Sequence, residues 1–235
     1  MDRSICQGSL ADLTQLVDTL SSAFQYDPAL SWILPDPAQR RLRLPKLFDI
    51  VARSDLAAGS VLRSESCEAV TLWRAPGKVH VGLMETLLPG RGYFQTFGAA
   101  LGRGLAVSHA MESHHPKGID YWYLHYAAVR PEHQGNGWGG AAIREGLTPA
   151  RSGNLPIYLE TAKEGFHAGC ILAAVFIFQP IKGNEEGLED HAPHEMNELR
   201  LVVRAAYVHE DGAIQLPFGH SMRVPSETVL FEVWI

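Results

Sequence analysis

Apolar residues recur at helical spacing over three long segments of the chain. Over Leu10–Phe24 they stand three and four positions apart, which predicts an amphipathic helix that ends at Asp27-Pro28. A second helix is predicted over about Asp36–Ala58, with Pro45 as a break or restart because proline lacks the backbone donor that a helix interior requires. The third segment, Gly92–Ser113, predicts a helix weakened by its glycines. Each of these helices has an apolar side that must pack on a core.

Between and after the helices, aromatic and β-branched residues predict short strands. Ser60–Glu65 and Ala69–Arg74 form a predicted pair around a polar turn. Asp120–Val129, with the sequence DYWYLHYAAV, gives the strongest strand signal, and Arg130-Pro131 ends it because proline cannot donate to a ladder. A glycine-rich turn and a helix over roughly Gly137–Leu147 follow. Further strands are predicted from Ile157, over Leu199–Val208 and over Val229–Ile235.

Length and charge narrow the class of protein. A chain of 235 residues with 46% apolar content can bury a sizeable core, and a single domain over residues 1–235 is the simplest division. Twenty basic and twenty-six acidic residues give a net charge of −6, which offers no overall attraction to nucleic acid or to an anionic membrane. This charge mildly favours a cationic partner such as an amine.

The cysteines and the first residues are typical of a cytoplasmic protein. Cys6, Cys67 and Cys170 lie far apart without C-x-x-C spacing, so neither a disulfide framework nor a zinc knuckle is indicated. Met1–Leu10 lacks the basic start and apolar stretch of a signal peptide. The longest apolar run, Ala168–Phe178, is shorter than the roughly 20 residues that span a bilayer and is interpreted as buried core. A cytoplasmic location is therefore expected.

The strongest chemical signal is a glycine-rich segment between a predicted strand and a predicted helix. It runs from Val129 to Gly139 with the sequence VRPEHQGNGWG, and its three glycines in five positions let the backbone approach a ligand closely. At the start of a helix, unpaired amide hydrogens carry part of the positive end of the helix dipole, so a pyrophosphate can bind there without many lysines. The alternative is a flexible turn without a ligand.

A second phosphate-binding pattern fits the same glycines. Gly135, Gly137 and Gly140 satisfy G-x-G-x-x-G, and Glu160 ends the following strand about where the ribose-binding acid of a Rossmann fold stands. In that fold the glycines follow their strand almost at once, whereas Arg130–Gln134 intervene here and about 120 residues precede the motif. A nucleotide-binding oxidoreductase therefore remains an alternative.

The glycine-rich segment resembles the acetyl-CoA motif of the GNAT superfamily, V-x-P-x-x-Q/R-G-x-G-x-G/A. The sequence LPIYLETA from Leu155 is similar to the next strand of that family. ADLTQLVDTLSSAFQYDP from Ala11 and HHPKGIDYWYLH from His114 resemble its puromycin N-acetyltransferase-like branch. The resemblance covers roughly residues 10 to 163. It implies an α/β (α+β) fold with a mixed, mostly antiparallel sheet flanked by helices, whose central parallel strands splay apart.

The resemblance also implies a cofactor site that needs no metal. Acetyl-CoA would be the co-substrate, with its pantetheine arm in the gap between the splayed strands. The amide of Val129 would face the thioester oxygen as it becomes an oxyanion, where a fixed donor is worth several kcal/mol. His191 and His194 have a proline between them and no nearby third ligand, so they predict no metal site. The cofactor would be bound by Ala127, Ala128, Val129, Gln134, Gly135, Asn136, Gly137, Trp138 and Gly139.

His125 is the predicted general base. The expected reaction is direct attack of a neutral amine on the thioester, and a primary amine with a pKa of about 10.4 must first lose a proton. His125 lies four residues before Val129, and some arylalkylamine acetyltransferases resemble this chain in carrying a histidine at the matching position. An ordinary imidazole, which titrates at about pH 6.5, suits proton removal. The alternative is a hydrogen-bonded core histidine in an aromatic strand.

The resemblance ends after Lys163. The family's asparagine, its thiolate-protonating tyrosine and its glycine-phenylalanine pair are missing from their places, so residues 165–235 form a divergent C-terminal part without an assigned general acid. Tyr158 and Tyr207 are candidate replacements. The sequence thus predicts an N-acetyltransferase that moves the acetyl group of acetyl-CoA to a primary amine of a small molecule or peptide, and it allows a homodimer. The alternatives are a catalytically weak acyl-CoA-binding protein and a nucleotide-binding oxidoreductase.

Overall fold

Helices flank a mixed sheet in the computed structural model, which describes residues 3–58, 60–79, 90–163, 170–180, 199–209, 214–215 and 220–224. The helices within these ranges are α1 (Leu13–Ala23), α2 (Pro28–Ile33), α3 (Pro37–Ala58), α4 (Gly90–Phe97), α5 (Leu101–His114), α6 (Trp138–Gly146) and α7 (Thr148–Ser152). The strands are β1 (Ile5–Gln7), β2 (Val61–Ser64), β3 (Ala69–Arg74), β4 (Trp122–Val129), β5 (Ile157–Lys163), β6 (Cys170–Pro180), β7 (Leu199–His209), β8 (Ile214–Gln215) and β9 (His220–Val224).

The strands of the described ranges form one sheet in the order β1-β2-β3-β4-β5-β6-β7, with β8 and β9 both paired to β7. Every pair is antiparallel except β4 with β5. Those two parallel strands pair only over Trp122–Leu124 and Ile157–Leu159, and no ladder joins them beyond these residues. The remainder of β5, as far as Lys163, still pairs with β6. The mostly antiparallel sheet with splayed parallel strands is as predicted from the sequence.

A β-bulge interrupts the ladder of β4 at His125. Leu124 and Tyr126 pair with consecutive residues of β3, so His125 is the extra residue between them. One inserted residue reverses the alternation of side chains along a strand. As a result His125 and Tyr126, although consecutive, both contact residues of α3, whereas Ala127 packs in the core beneath α6.

Each face of the sheet is covered by its own apolar core. The core toward α1 and α3 includes Leu16, Leu20, Leu44, Phe48, Val61, Val70 and Leu72. The core toward α6 and α7 is formed by Trp73, Leu124, Ile143, Leu147, Ala150, Ile157 and Leu159. Full burial of a large apolar side chain contributes about 1.5–3 kcal/mol. These side chains therefore hold the helices on the two faces of the sheet.

The helices predicted over Leu10–Phe24, Asp36–Ala58 and Gly137–Leu147 are confirmed. The single helix predicted over Gly92–Ser113 is divided: α4 ends at Phe97, a 3₁₀ turn with Gly98 at a φ of 51° follows, and α5 begins at Leu101. The predicted break at Pro45 is wrong. α3 continues without interruption from Pro37 to Ala58, with Pro45 inside it. Proline in a helix interior costs about 3 kcal/mol. Leu44 and Phe48 on the two sides of this position are 0% exposed, and their burial against the sheet is large enough to offset that cost.

Most of the predicted strands are confirmed as well. β1 was not anticipated, because three residues are too few for a periodic signal and the strand forms by pairing with β2. The apolar run Ala168–Phe178 contributes most of β6, while Val229–Ile235 lies outside the described residues. In the part of the chain that the structure describes, no helix has the length and apolar character required to cross a bilayer.

Replacement of Gly146 by alanine is expected to lower the free energy of unfolding by about 1–3 kcal/mol, the cost of overpacking a filled core. Gly146 lies in α6 directly against Trp73, and a Cβ there would overlap the buried indole ring. Urea unfolding of the purified protein measures the change. Gly102→Ala is the control, because nothing lies within 4 Å of a Cβ at that position of α5. Equal stability of the two variants would contradict the prediction.

Candidate active site

The glycine turn, Arg130–Gly137, joins β4 to α6 and leaves the start of that helix open. Gly135 and Gly137 have φ angles of 74° and 77°, a left-handed region that favours glycine because it has no Cβ. Gly137 is the N-cap of α6, and among the residues that the structure describes no side chain caps the helix. The first amide groups of α6 therefore point out of the helix without a side-chain acceptor. Gln134–Gly139, predicted to bind a pyrophosphate, lie in this turn and in the first turn of α6.

A glutamine and an arginine flank the glycine turn. Nε2 of Gln134 donates to the carbonyl oxygen of Val129 at 3.2 Å, which ties the turn to the end of β4. The exposed Arg3 lies across the turn, with its Cζ atom 3.3 Å from the position that a Cβ at Gly137 would take. A guanidinium can form paired hydrogen bonds with phosphate oxygens. The turn therefore combines open amide groups with an exposed cation, which together suit an anion.

Beyond Leu124, β4 has a strand partner on one side only within the described residues. β3 pairs with it as far as Val129, whereas its pairing with β5 stops at Leu124. Ala128 and Val129 are nevertheless only 1% and 2% exposed. Backbone groups of a buried strand require hydrogen-bond partners, so this edge can accept an extended ligand as a further strand. Ala127, Ala128 and Val129, predicted to contact a pantetheine arm, all lie along this edge.

His125 contacts a buried carboxylate of α3. Its Nδ1 atom is 2.7 Å from Oδ2 of Asp55, and the two side chains are 19% and 0% exposed. The other carboxylate oxygen of Asp55, Oδ1, accepts a hydrogen bond from Nε of Arg74 at 2.6 Å. Arg74 ends β3 and is 4% exposed. Each of the elements α3, β3 and β4 thus brings one charged or titratable group to this point.

Aromatic rings surround His125. The ring centroids of Tyr123 and Tyr126 lie 5.4 Å and 4.4 Å from that of His125. Phe24 and Phe48 pack edge-on against Tyr126, each at 5.4 Å. Burial raises the pKa of Tyr126 well above its ordinary value, and the nearby charge of Asp55 adds to the effect. These rings therefore provide apolar walls and no charge of their own.

A second buried polar cluster surrounds Glu160. Its Oε1 atom accepts a hydrogen bond from the hydroxyl of Tyr158 at 2.6 Å, and its Oε2 atom accepts one from the hydroxyl of Tyr123 at 3.2 Å. His115 joins the cluster, with Nε2 at 3.6 Å from Oε1 and Nδ1 at 2.9 Å from the hydroxyl oxygen of Tyr121. Burial and the charge of Glu160 raise the pKa of Tyr158 far above its ordinary value and that of Tyr121 to about 12.

These contacts disfavour two roles considered for the cluster. A hydroxyl that is held by a carboxylate and has a raised pKa releases its proton less readily, so Tyr158 is poorly suited to act as a general acid. The side chain of Glu160 is 1% exposed and bound to tyrosines, which does not fit an acid that binds a ribose. Tyr207, the other candidate acid, lies on β7, for which the strand alone is described.

Neither Asp55 nor Arg74 was predicted from the sequence. Asp55 is separated from His125 by 70 positions, so no local spacing connects them. A weaker signal is present on α3 itself, where Asp55 follows the buried Val51 by four residues and therefore continues its apolar side. A charged residue at such a position requires a partner. His191 and His194 lie outside the described residues.

Solved structures resemble the fold of this chain, although no protein-family model matches it. A Corynebacterium glutamicum protein described as histone acetyltransferase HPA2 and related acetyltransferase is similar over 68% of this chain and 77% of its own, with 27% sequence identity and a TM-score of 0.51. A GNAT family acetyltransferase from Brucella melitensis in complex with acetyl-CoA is similar over 66% of this chain and 73% of its own, with 17% identity and a TM-score of 0.37. The second match is loose, and nothing about this chain follows from it. The similarity to the Corynebacterium glutamicum acetyltransferase confirms the predicted GNAT-like fold class.

The variant Tyr158→Phe is expected to unfold at a lower urea concentration than the wild type. It removes the shorter of the two tyrosine hydrogen bonds to Glu160, and a buried carboxylate that loses a donor costs about 1–3 kcal/mol. Tyr26→Phe is the matched control, because Tyr26 is 74% exposed and the same substitution there should leave stability unchanged. Equal unfolding midpoints for both variants would show that Glu160 does not depend on Tyr158.

Proposed function

We propose that this chain is an N-acetyltransferase that transfers the acetyl group of acetyl-CoA to a primary amine of a small molecule or peptide. The observation that carries the proposal is the glycine turn at the start of α6, which directly follows the strand edge left open by β5. The similarity to the acetyltransferase from Corynebacterium glutamicum supports the same type of reaction. A net charge of −6 favours an acceptor that is a cation in solution.

The residues around the glycine turn fit the phosphate groups of acetyl-CoA. Amide groups of Gln134–Gly139 and the dipole of α6 would bind the pyrophosphate. The space between the turn and Arg3 would be filled by any side chain at Gly137, so the absence of a Cβ suits a ligand at this point. The pantetheine arm carries amide groups that would pair with Ala127–Val129 along the open edge of β4.

In the proposed reaction the amine nitrogen attacks the thioester carbonyl carbon directly. The new C–N bond forms, the C–S bond breaks, and His125 accepts the proton that the amine loses. The amide of Val129 donates to the carbonyl oxygen while it carries negative charge. The CoA thiol has a pKa of about 8.5, so its thiolate can leave without a protein group to protonate it.

Acetyl-CoA is expected to bind the purified chain with micromolar affinity, and Gly137→Asp should abolish this binding. The substitution places a negative charge and a Cβ at the centre of the glycine turn, next to Arg3. Gly77→Asp is the matched control: its φ of 76° equals that of Gly137 within a degree, yet it follows the other end of β3, roughly 20 Å away. Isothermal titration calorimetry of all three proteins measures the affinities.

Each other outcome of the titration has a definite meaning. Absence of acetyl-CoA binding to the wild type would refute the proposed function. Binding of NADH in place of acetyl-CoA would favour a nucleotide-binding oxidoreductase, since the same glycines also satisfy its pattern. Tight acetyl-CoA binding without CoA release across a panel of amines would favour a catalytically weak acyl-CoA-binding protein.

His125→Gln is expected to lower kcat for amine acetylation by about 10²–10⁴-fold, the usual contribution of a general base. The Kd for acetyl-CoA should stay unchanged, because His125 lies outside the glycine turn and before Ala127–Val129, the residues that would contact the cofactor. His109→Gln is the control, since His109 is exposed on α5 and should retain full activity. The release of CoA, measured with a thiol reagent, gives kcat for the wild type and for both variants. A kcat of His125→Gln within threefold of the wild-type value would exclude His125 as the base.

A further inference from the structure

Both carboxylate oxygens of Asp55 are used, and by different elements of the fold. Oδ2 lies 2.7 Å from Nδ1 of His125 on β4, and Oδ1 accepts from Nε of Arg74 on β3 at 2.6 Å. The carboxylate is 0% exposed and Arg74 is 4% exposed, so water does not replace either contact. An isolated buried carboxylate would be very costly, and the guanidinium of Arg74 compensates its charge.

The charge state of Asp55 decides which nitrogen of His125 carries the proton. An ionised carboxylate can only accept hydrogen bonds, so at 2.7 Å the Nδ1 atom of His125 must be the donor. A neutral imidazole that is protonated on Nδ1 has its lone pair on Nε2. Among the described residues, none forms a hydrogen bond with Nε2 of His125, and the side chain keeps 19% exposure.

We propose that Asp55 is the positioning residue for His125, and that Arg74 holds the Asp55 carboxylate in place for this purpose. The inference rests on the proposed function and assigns a role to residues that act through His125. Asp55 fixes the Nδ1–H tautomer and the orientation of the ring, so that the basic Nε2 atom is free for the acceptor amine. When Nε2 takes the proton from the amine, the imidazolium is stabilised by the charge of Asp55, which itself stays ionised.

The tyrosines near Asp55 add no further charge to this arrangement. Burial raises the pKa values of Tyr126 and Tyr93, and the charge of the nearby Asp55 adds to both shifts. Both phenols therefore remain neutral and do not compete with His125 for the proton that the amine loses. Ser54 adds a hydroxyl oxygen 3.3 Å from the guanidinium of Arg74, which helps to hold the cation in place.

Asp55→Asn tests the role, because the amide has the shape of the carboxylate without its charge. With its oxygen on Arg74, the NH₂ group faces Nδ1 of His125 and selects the opposite tautomer. We expect kcat to fall about 10²–10⁴-fold with an unchanged Kd for acetyl-CoA. Asp49→Asn is the matched control: it is the same substitution on the same helix, at an exposed ion pair with Arg53, and should keep wild-type kcat.

A double-mutant cycle separates positioning from a purely structural role. In a His125→Gln background, Asp55→Asn is expected to lower the residual rate by less than about threefold, because its effect passes through His125. Loss of kcat by the same factor in both backgrounds would overturn the proposal. Circular dichroism and the urea midpoint of each variant establish that the rates refer to folded protein.

The tautomer can also be read in the wild-type protein, without any substitution. Two-dimensional ¹⁵N–¹H NMR of histidine-labelled protein, with the His125 signals assigned by their loss in His125→Gln, should show the proton on Nδ1. A proton on Nε2 would overturn the proposal even if Asp55→Asn fails to fold. Absence of acetyl transfer by the wild type would instead refute the proposed function, so the two failures are distinguishable.

Discussion

The candidate site depends on the point where β4 loses its regular ladders. Its pairing with β5 ends at Leu124, and its ladder with β3 is interrupted by the bulge at the next residue, His125. Each missing backbone hydrogen bond costs on the order of 1 kcal/mol, and the cores on both faces of the sheet supply the packing that offsets this cost. Within the described residues, a buried strand that lacks a second partner strand and a redirected histidine therefore arise at the same place.

Asp55 and Arg74 connect the helical layer to the sheet at this same point. A buried ion pair is a weak source of stability, because the cost of desolvating both charges is comparable to their attraction. Apolar side chains at these positions would hold α3 on the sheet at least as well. Apolar residues could not replace the third contact, from Asp55 to His125. This favours a functional role of the two charges over a contribution to stability.

Features that depend on contiguous residues could be predicted from the sequence, and features that depend on distant ones could not. The glycine turn lies within one segment, so the strand, turn and helix were all anticipated. The bulge in β4 could not be predicted from the sequence. One extra residue changes which face of the sheet the side chains point to, but it does not change the composition of the strand. The sequence predicts a break in α3 at Pro45, and the structure shows none. The helix is stabilised there by packing against residues of the sheet, which are distant in sequence. Asp55 was missed because its partner is 70 positions away.

Tyr123 lies between the two clusters of titratable side chains, one around His125 and Asp55 and the other around His115 and Glu160. Its ring lies 5.4 Å from His125 and 4.8 Å from His115, and its hydroxyl donates to Glu160. Burial and the charge of Glu160 raise the pKa of Tyr123 well above its ordinary value, so this phenol is unsuited to pass protons between the clusters. The described residues thus favour His125 as a general base and disfavour Tyr123 and Tyr158 as general acids. Because a thiolate leaves far more readily than an amine, acyl transfer from a thioester requires the base more than the acid. The proposed reaction therefore does not depend on a tyrosine that protonates the thiolate.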